Sequence, residues 1–460
     1  MTDQAPTSSP SRNRARAPEP GPVQPFDPPA VRSESLSNGL ALRLAPRPRL
    51  PVAAVALVLD VGETVVPRER AGLAGLTARC LEGGTARRDG AELAEALEGL
   101  GTELRIRTGW DGTTLSLTCL AHRLPEAFQL LAEVVQEPSF PDGEVERAIQ
   151  EKRAALRQRR MDPSSMAADA FLPLLYSSGS PYSRPLAGSD ETLDELQLHE
   201  VAEFAHRRFG PKGGGVVVAG DVDAGEVEEL TQRHFGNWDG GEPSNGEVEA
   251  EPAVSHRRVV VLHRPGAVQS EIRIGHVGVA RSTPDYHALR VGNAILGGAF
   301  TSRLNLNLRE RHGFTYGVRS RFAFRRGPGP FSVSTAVSTD VTADAVREAV
   351  TEIEGLIRDG PTGEEVEQAK DYVVGVFPLR FETSGQVAAR AAELLIHRLP
   401  DDEHVLFRDR IRDLTREEVA EALARRIQPA ALQVLVVGDA EEVRGPLEAL
   451  DQGPVEVQEA

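Results

Sequence analysis

Arg309 and Tyr316 stand seven residues apart in the run GGAFTSRLNLNLRERHGFTYG, which opens at Gly297 and closes at Gly317. A guanidinium and a phenol are both hydrogen-bond donors. A donor aimed at an oxygen that gains negative charge lowers the barrier to acyl transfer, and removing one such donor costs about 2.7–4 kcal/mol. Gly313 and Gly317 let the backbone turn and approach closely around the pair. Residue type alone also allows a plainer reading, in which Arg309 is a helix-end cation and Tyr316 a strand-start aromatic. His312, inside the turn, reads as solvent-exposed. The Gly297-Gly298 pair reads as a helix C-cap that needs a positive φ.

The elements that must position this run occur twice. In the first half an apolar helical segment, AGLAGLTARCLEGG from Ala71, leads to Arg87, a short amphipathic helix and an alternating stretch from Thr102 to Leu120. In the second half YHALRVGNAILGG from Tyr286 leads to Arg303, a short helix and an alternating strand from Tyr316 onward. Amphipathic helices follow, LPEAFQLLAEVVQEP from Leu124 and TADAVREAVTEIEGLIRDG from Thr342, with apolar residues at helical spacing. Next come two helices that begin with acidic residues, where the helix dipole favours them. Each half closes with a helix that runs into an apolar strand ending in Gly-Asp.

Strands at both ends of each half, with helices between, predict an α+β fold of two homologous α/β sandwich domains with mainly antiparallel sheets. The expected boundaries are a disordered arm over 1–33, a first domain over 34–238, a linker over 239–256, a second domain over 257–450 and a tail over 451–460. The linker reading rests on WDGGEPSNGEVEAEPAV, which is rich in Gly, Pro and Glu and has no apolar period.

Composition narrows the function classes. A formal net charge of −17 argues against a nucleic-acid partner. Cys80 and Cys119, far apart in apolar segments, form neither a disulfide framework nor a thiolate metal site. No apolar run is long enough for a membrane helix, and the first 30 residues lack the apolar core of a secretory signal. The expected address is therefore the cytoplasm, with no membrane partner.

From the N-terminal arm onward the chain resembles the insulinase/pitrilysin-like zinc peptidases, the family with the inverted HxxEH motif. The resemblance is carried by GLA at Gly72, Gly-Gly-Thr at Gly83, SPYSRPLAGSDETL from Ser180, SRL at Ser302, LRE at Leu308 and G-x-x-Y at Gly313. In active members the motif's two histidines bind zinc and its glutamate serves as base. The corresponding positions here are Gly75, Ala78 and Arg79, and the glutamate ligand of a later helix corresponds to Ala155. The metal site is thus expected to be degenerate, with no cofactor in this chain.

What the resemblance implies is a noncatalytic subunit of a heterodimeric zinc peptidase, or of a dimer of such heterodimers. A partner subunit carrying HxxEH would hold the zinc. Arg309 and Tyr316 would act in trans as catalytic and substrate-binding residues toward a peptide, with Gly313 and Gly317 supporting them. Gly297-Gly298 could also be a glycine loop that guides substrate, as in the noncatalytic subunit of mitochondrial processing peptidase. The stretch from Leu104 to Thr118 corresponds to the edge strand on which substrates pair, but the family's Asn-Ala reads Arg105-Ile106 here. Two other classes stay open: a structural pseudopeptidase in a larger complex, and a stand-alone peptide-binding protein.

Overall fold

The computed structural model describes residue 21 and residues 24–242, 244, 248 and 250–459. Most of the expected arm (residues 1–20, 22 and 23), linker positions 243, 245–247 and 249, and position 460 lie outside the described residues.

Each half builds one six-stranded sheet. The first contains β1 (Arg32–Ser35), β2 (Ala41–Pro46), β3 (Val52–Leu59), β4 (Arg105–Thr108), β5 (Thr113–Leu120) and β6 (Gly215–Gly220), in the order β1-β2-β6-β3-β5-β4. The second contains β7 (Arg258–His263), β8 (Gln269–Val277), β9 (Val318–Phe322), β10 (Pro330–Ser338), β11 (Gln433–Gly438) and β12 (Val455–Glu459), in the order β12-β7-β11-β8-β10-β9. Only the β2/β6, β7/β11 and β7/β12 pairs are parallel. The protein is therefore α+β with two homologous, mainly antiparallel sheets.

The central strands are apolar on both faces because the halves exchange a helix. Along β3, Ala53, Val55, Leu57 and Leu59 face the core of the first half. The alternate residues Ala54, Ala56 and Val58 join the core of the second half, with Ala388, Ala391 and Ala392. Those three alanines lie on the helix Ser384–Ile396, which packs across β3 and β6, and small residues on both sides let helix and sheet approach. In return the helix Pro163–Leu175 packs on β8 and β11, setting Phe171 and Leu175 against Val260, Leu435 and Val437. Side-chain caps mark where each exchanged helix starts. Asp162 accepts from the Ser165 N–H, and Thr383 forms a capping box with Gln386.

Ion pairs stitch the seam. The buried Asp60 of the first half meets Arg326, and Arg398 at 3.1 Å, both from the second. The Asp111 carboxylate accepts the Arg326 N–H at 2.9 Å and the Tyr182 hydroxyl at 3.3 Å. Phe26, within the stretch read as an arm, sits 5.8 Å from the Phe381 ring, and Arg408 donates to its carbonyl at 2.9 Å. Part of the stretch read as a tail forms β12, whose VEVQE is almost wholly exposed and whose alternation, Val455 and Val457 only, is too short to mark a strand in the sequence.

Candidate functional site

The helix Leu73–Cys80 carries the positions that correspond to the metal-binding motif. Its N-terminus is closed by Glu63, whose carboxylate accepts the Gly72 and Gly75 N–H groups, each at 3.0 Å. Lys152 donates to the Gly72 carbonyl at 2.9 Å. A Cβ added at Gly75 would lie 3.8 Å from both the Lys152 Nζ and a Glu63 carboxylate oxygen, so a charged pair lines the space into which a side chain there would project. Burial pushes the Glu63 carboxyl up and the Lys152 ammonium down from their ordinary values.

Ala78 is buried, whereas Arg79 is exposed and pairs with Glu82, and with Glu151 at 3.5 Å. Ala155 is an exposed position on the helix Asp142–Met161. Zinc needs several deprotonated N, S or O donors converging on one point. At the motif positions this corner offers a glycine, two alanines and a guanidinium beside an ammonium, its nearby carboxylates are taken by backbone N–H groups and by Arg79, and the donor set does not fit the metal. Among the described residues no group of three His, Cys, Asp or Glu side chains could hold an ion.

In the second half the corresponding helix, Tyr286–Asn293, widens into a π-type turn over Ala294–Gly298, closed by the Ala299 N–H on the Ala294 carbonyl at 3.2 Å. Neither Gly297 nor Gly298 has a positive φ, which corrects the C-cap expectation. Close approach explains Gly297 instead: a Cβ there would lie 2.6 Å from the Ser320 backbone nitrogen.

A second π-type turn, Asn305–Arg311, presents Arg309. Such turns occur often at functional sites. The buried Leu304 and Leu308 anchor it, and Asn305 ties its start to the strand beyond Tyr316. The Asn305 amide donates to the Val318 carbonyl at 2.9 Å and accepts the Val318 N–H at 3.2 Å. Gly313, at φ +66°, reverses the chain, donating its N–H to the Arg309 carbonyl at 3.1 Å. His312 is exposed and stacks on Phe314 at 4.9 Å.

Tyr316 rides on a pinned backbone. The Thr335 hydroxyl lies within hydrogen-bond distance of the Thr315 hydroxyl, at 2.9 Å, and of the Gly317 carbonyl, at 3.1 Å, and so ties down both neighbours of Tyr316. The tyrosine side chain itself is 100% exposed. The Arg309 guanidinium lies 4.2 Å over the Phe300 ring, its Nε is 3.7 Å from Glu310, and its buried Nη1 has no hydrogen-bond partner among the described residues. Phe300 is itself largely exposed. Its place in the GGAFTSR run was visible in the sequence, but not its contact with a residue nine positions later. The two donors are thus carried by one braced loop, each with capacity to spare.

Between the halves lies a cleft of about 1520 Å3. Its lining comes from β3, β4 and β5, from Arg321 to Arg325 and from the length of the helix Ser384–Ile396. The stretch expected as one strand from Leu104 to Thr118 is in fact a hairpin, and only β4 forms the sheet edge. The Gly109–Gly112 turn breaks it. Arg105 and Arg107 are exposed on β4, on either side of Ile106.

Fold and site together define a two-sheet, peptidase-like protein whose own metal corner is filled by internal charge pairs. Residues 44–179 match the family model "Insulinase (Peptidase family M16)", and residues 195–373 match "Peptidase M16 inactive domain". The chain belongs to the insulinase family, as a member without a zinc site. It is 29% identical over 426 residues to an uncharacterized zinc protease of Mycobacterium tuberculosis, covering 92% of this chain and 96% of the relative. A "non-peptidase homolog" of Helicobacter pylori is 23% identical over 337 residues, covering 73% of this chain and 77% of that one. The fold is similar to a solved "peptidase M16 inactive domain" from Pseudomonas fluorescens, with a TM-score of 0.82, 24% identity, and 89% of this chain and 98% of that one covered. A protease from Helicobacter pylori is likewise similar, with a TM-score of 0.83, 20% identity and coverage of 89% and 99%.

Proposed function

We propose that this chain is the noncatalytic subunit of a heterodimeric zinc peptidase, lending Arg309 and Tyr316 to a partner that carries HxxEH and the metal. The observation that carries this reading is the state of the pair. A fully exposed phenol and a guanidinium with an unpartnered nitrogen are carried on a backbone braced by Asn305 and Thr335. Donors carried on a braced backbone and left unused by their own fold are available to stabilise a transition state. The corner at Gly75, Ala78, Arg79 and Ala155 supplies no nucleophile, so the activated water must come from another chain. In this assembly Tyr316 donates to the oxygen of the attacked peptide bond, and Arg309 holds a neighbouring substrate carbonyl or carboxylate.

The test mixes the purified chain with an HxxEH-bearing family chain of similar length and follows cleavage of a quenched fluorescent peptide. Neither chain alone should cleave, and the mixture should. An HxxEH chain that works at full rate by itself would sink the proposal, and would favour a scaffolding role for this protein.

A further inference from the structure

The cleft between the halves carries a charge opposite to that of the whole molecule. The chain has a formal net charge of −17, yet seven arginines line the cleft against four carboxylates. Most of those carboxylates are already engaged. Glu103 pairs with Arg105, Glu393 pairs with Arg390 at 2.7 Å, and Asp111 accepts from Tyr182 and from the Arg326 backbone. By contrast Arg49, Arg107, Arg321 and Arg325 have no ion-pair partner among the described residues, in a protein where most arginines do.

Arg325 is the most constrained of the four. Its guanidinium lies 4.3 Å from the Tyr182 ring centroid and 4.8 Å from that of Trp110, and its Nη1 is buried without a hydrogen-bond partner. A buried donor left unsatisfied is costly, and Arg325 lines the cleft, so an anionic group entering it would give this cation the countercharge it lacks. Desolvation and confinement also strengthen the field that such arginines exert on a ligand.

We propose that this cleft is a binding site for acidic peptide segments. The class follows from the walls as well as the charge. Edge strand β4 runs along the cleft and β9, the edge of the other sheet, enters it at Arg321, so an extended polypeptide can pair with free backbone groups while its carboxylates meet the arginines. A nucleic acid would bring a dense line of phosphates toward a strongly acidic surface, which disfavours it. Tyr316 precedes β9 by two residues and Arg321 lies within it. A segment held at Arg321 therefore reaches Tyr316 over about 17 Å of extended chain. The inference rests on the peptide-binding part of the function proposed above and not on the partner subunit.

The test measures fluorescence anisotropy of labelled ten-residue peptides with the isolated full chain. The peptides are a Glu/Gly/Ser sequence and its Gln and Lys counterparts, with single-stranded dT10 as the polyanion control. The Glu peptide should bind at least ~10-fold more tightly than the Gln peptide, and the preference should shrink as salt screens the arginines. The surface double variant Arg107→Glu/Arg321→Glu should abolish the preference at an unchanged Tm, while Arg233→Glu, on a distant helix, should leave it intact. Equal binding of the Glu and Gln peptides would overturn the proposal. So would dT10 binding as tightly as the Glu peptide, or a double variant that binds like the native chain. Because no partner is present, this failure is distinct from failure to cleave in the two-chain assay.

Discussion

Two helices that open equivalent passages of the repeat have been turned to opposite ends. Around Leu73–Cys80 the charged groups are spent within the fold: Glu63 takes two backbone N–H groups, Lys152 a carbonyl, and the exposed Arg79 pairs with Glu82 and Glu151. Past Tyr286–Asn293 polar groups are left over, with Tyr316 wholly exposed and Arg309 only loosely paired. The difference teaches where to look for activity. A corner whose charged groups are largely spent on one another and on the backbone has become structure, whereas a braced loop with spare donors retains something to bind.

The sharpest way to break this contrast is at the Tyr316 loop. With a competent partner, Tyr316→Phe should lower kcat/KM by about 100-fold, the usual effect of losing one such donor, and leave the denaturation midpoint unchanged because the phenol touches nothing. An unchanged rate would assign the loop a structural role. Next in size is the seam between the halves. Burial, with Arg281 and Arg326 nearby, pulls the His397 pKa from 6.5 down to about 4. The unfolded chain therefore takes up a proton that the folded state refuses between those values, so stability is full above pH 6.5 and falls as pH drops toward 4. The total is about 3 kcal/mol, read from urea melts at pH 7 and 4.5, and His397→Gln should remove that part of the slope.

The Glu63 corner supplies the third prediction. Glu63→Ala strips the acceptor from two helix N–H groups and leaves Lys152 without its countercharge, so it should cost about 2 kcal/mol in urea denaturation. A neutral result would mean that the corner is not held by this carboxylate. Smallest is Gly313→Ala. The space around it is open, so only the left-handed backbone opposes the methyl, at about 1 kcal/mol.

Much of this was legible in the linear chain. The order of elements in the two halves predicts two sheets of one kind, because strand alternation and helical period are local signals. The empty metal corner is equally plain, since Gly75, Ala78 and Ala155 carry no ligand atoms and Arg79 bears a positive charge. The hairpin at β4 and β5 was less visible: Trp110 and Asp111 interrupt the alternation, but apolar patterning alone does not say that a run has turned back. Edge strand β12 was hard to see for a related reason: an exposed strand at a sheet border needs little apolar surface, and Val455 and Val457 alone do not mark one.

By itself the sequence determined the repeat, the fold class and the loss of zinc ligands, all of which depend on residue type and short-range spacing. Only the tertiary structure decided which residues fill the vacated corner, that each half lends a helix to the other's sheet, and that unpaired arginines face a common cleft. Glu63 lies 89 positions before Lys152, and Arg107 lies 214 before Arg321. Contacts at that separation are set by how whole sheets pack and not by local propensity. The Tyr316 loop lies between these cases: its residues could be named from the chain, but their freedom from internal partners was a property of the fold.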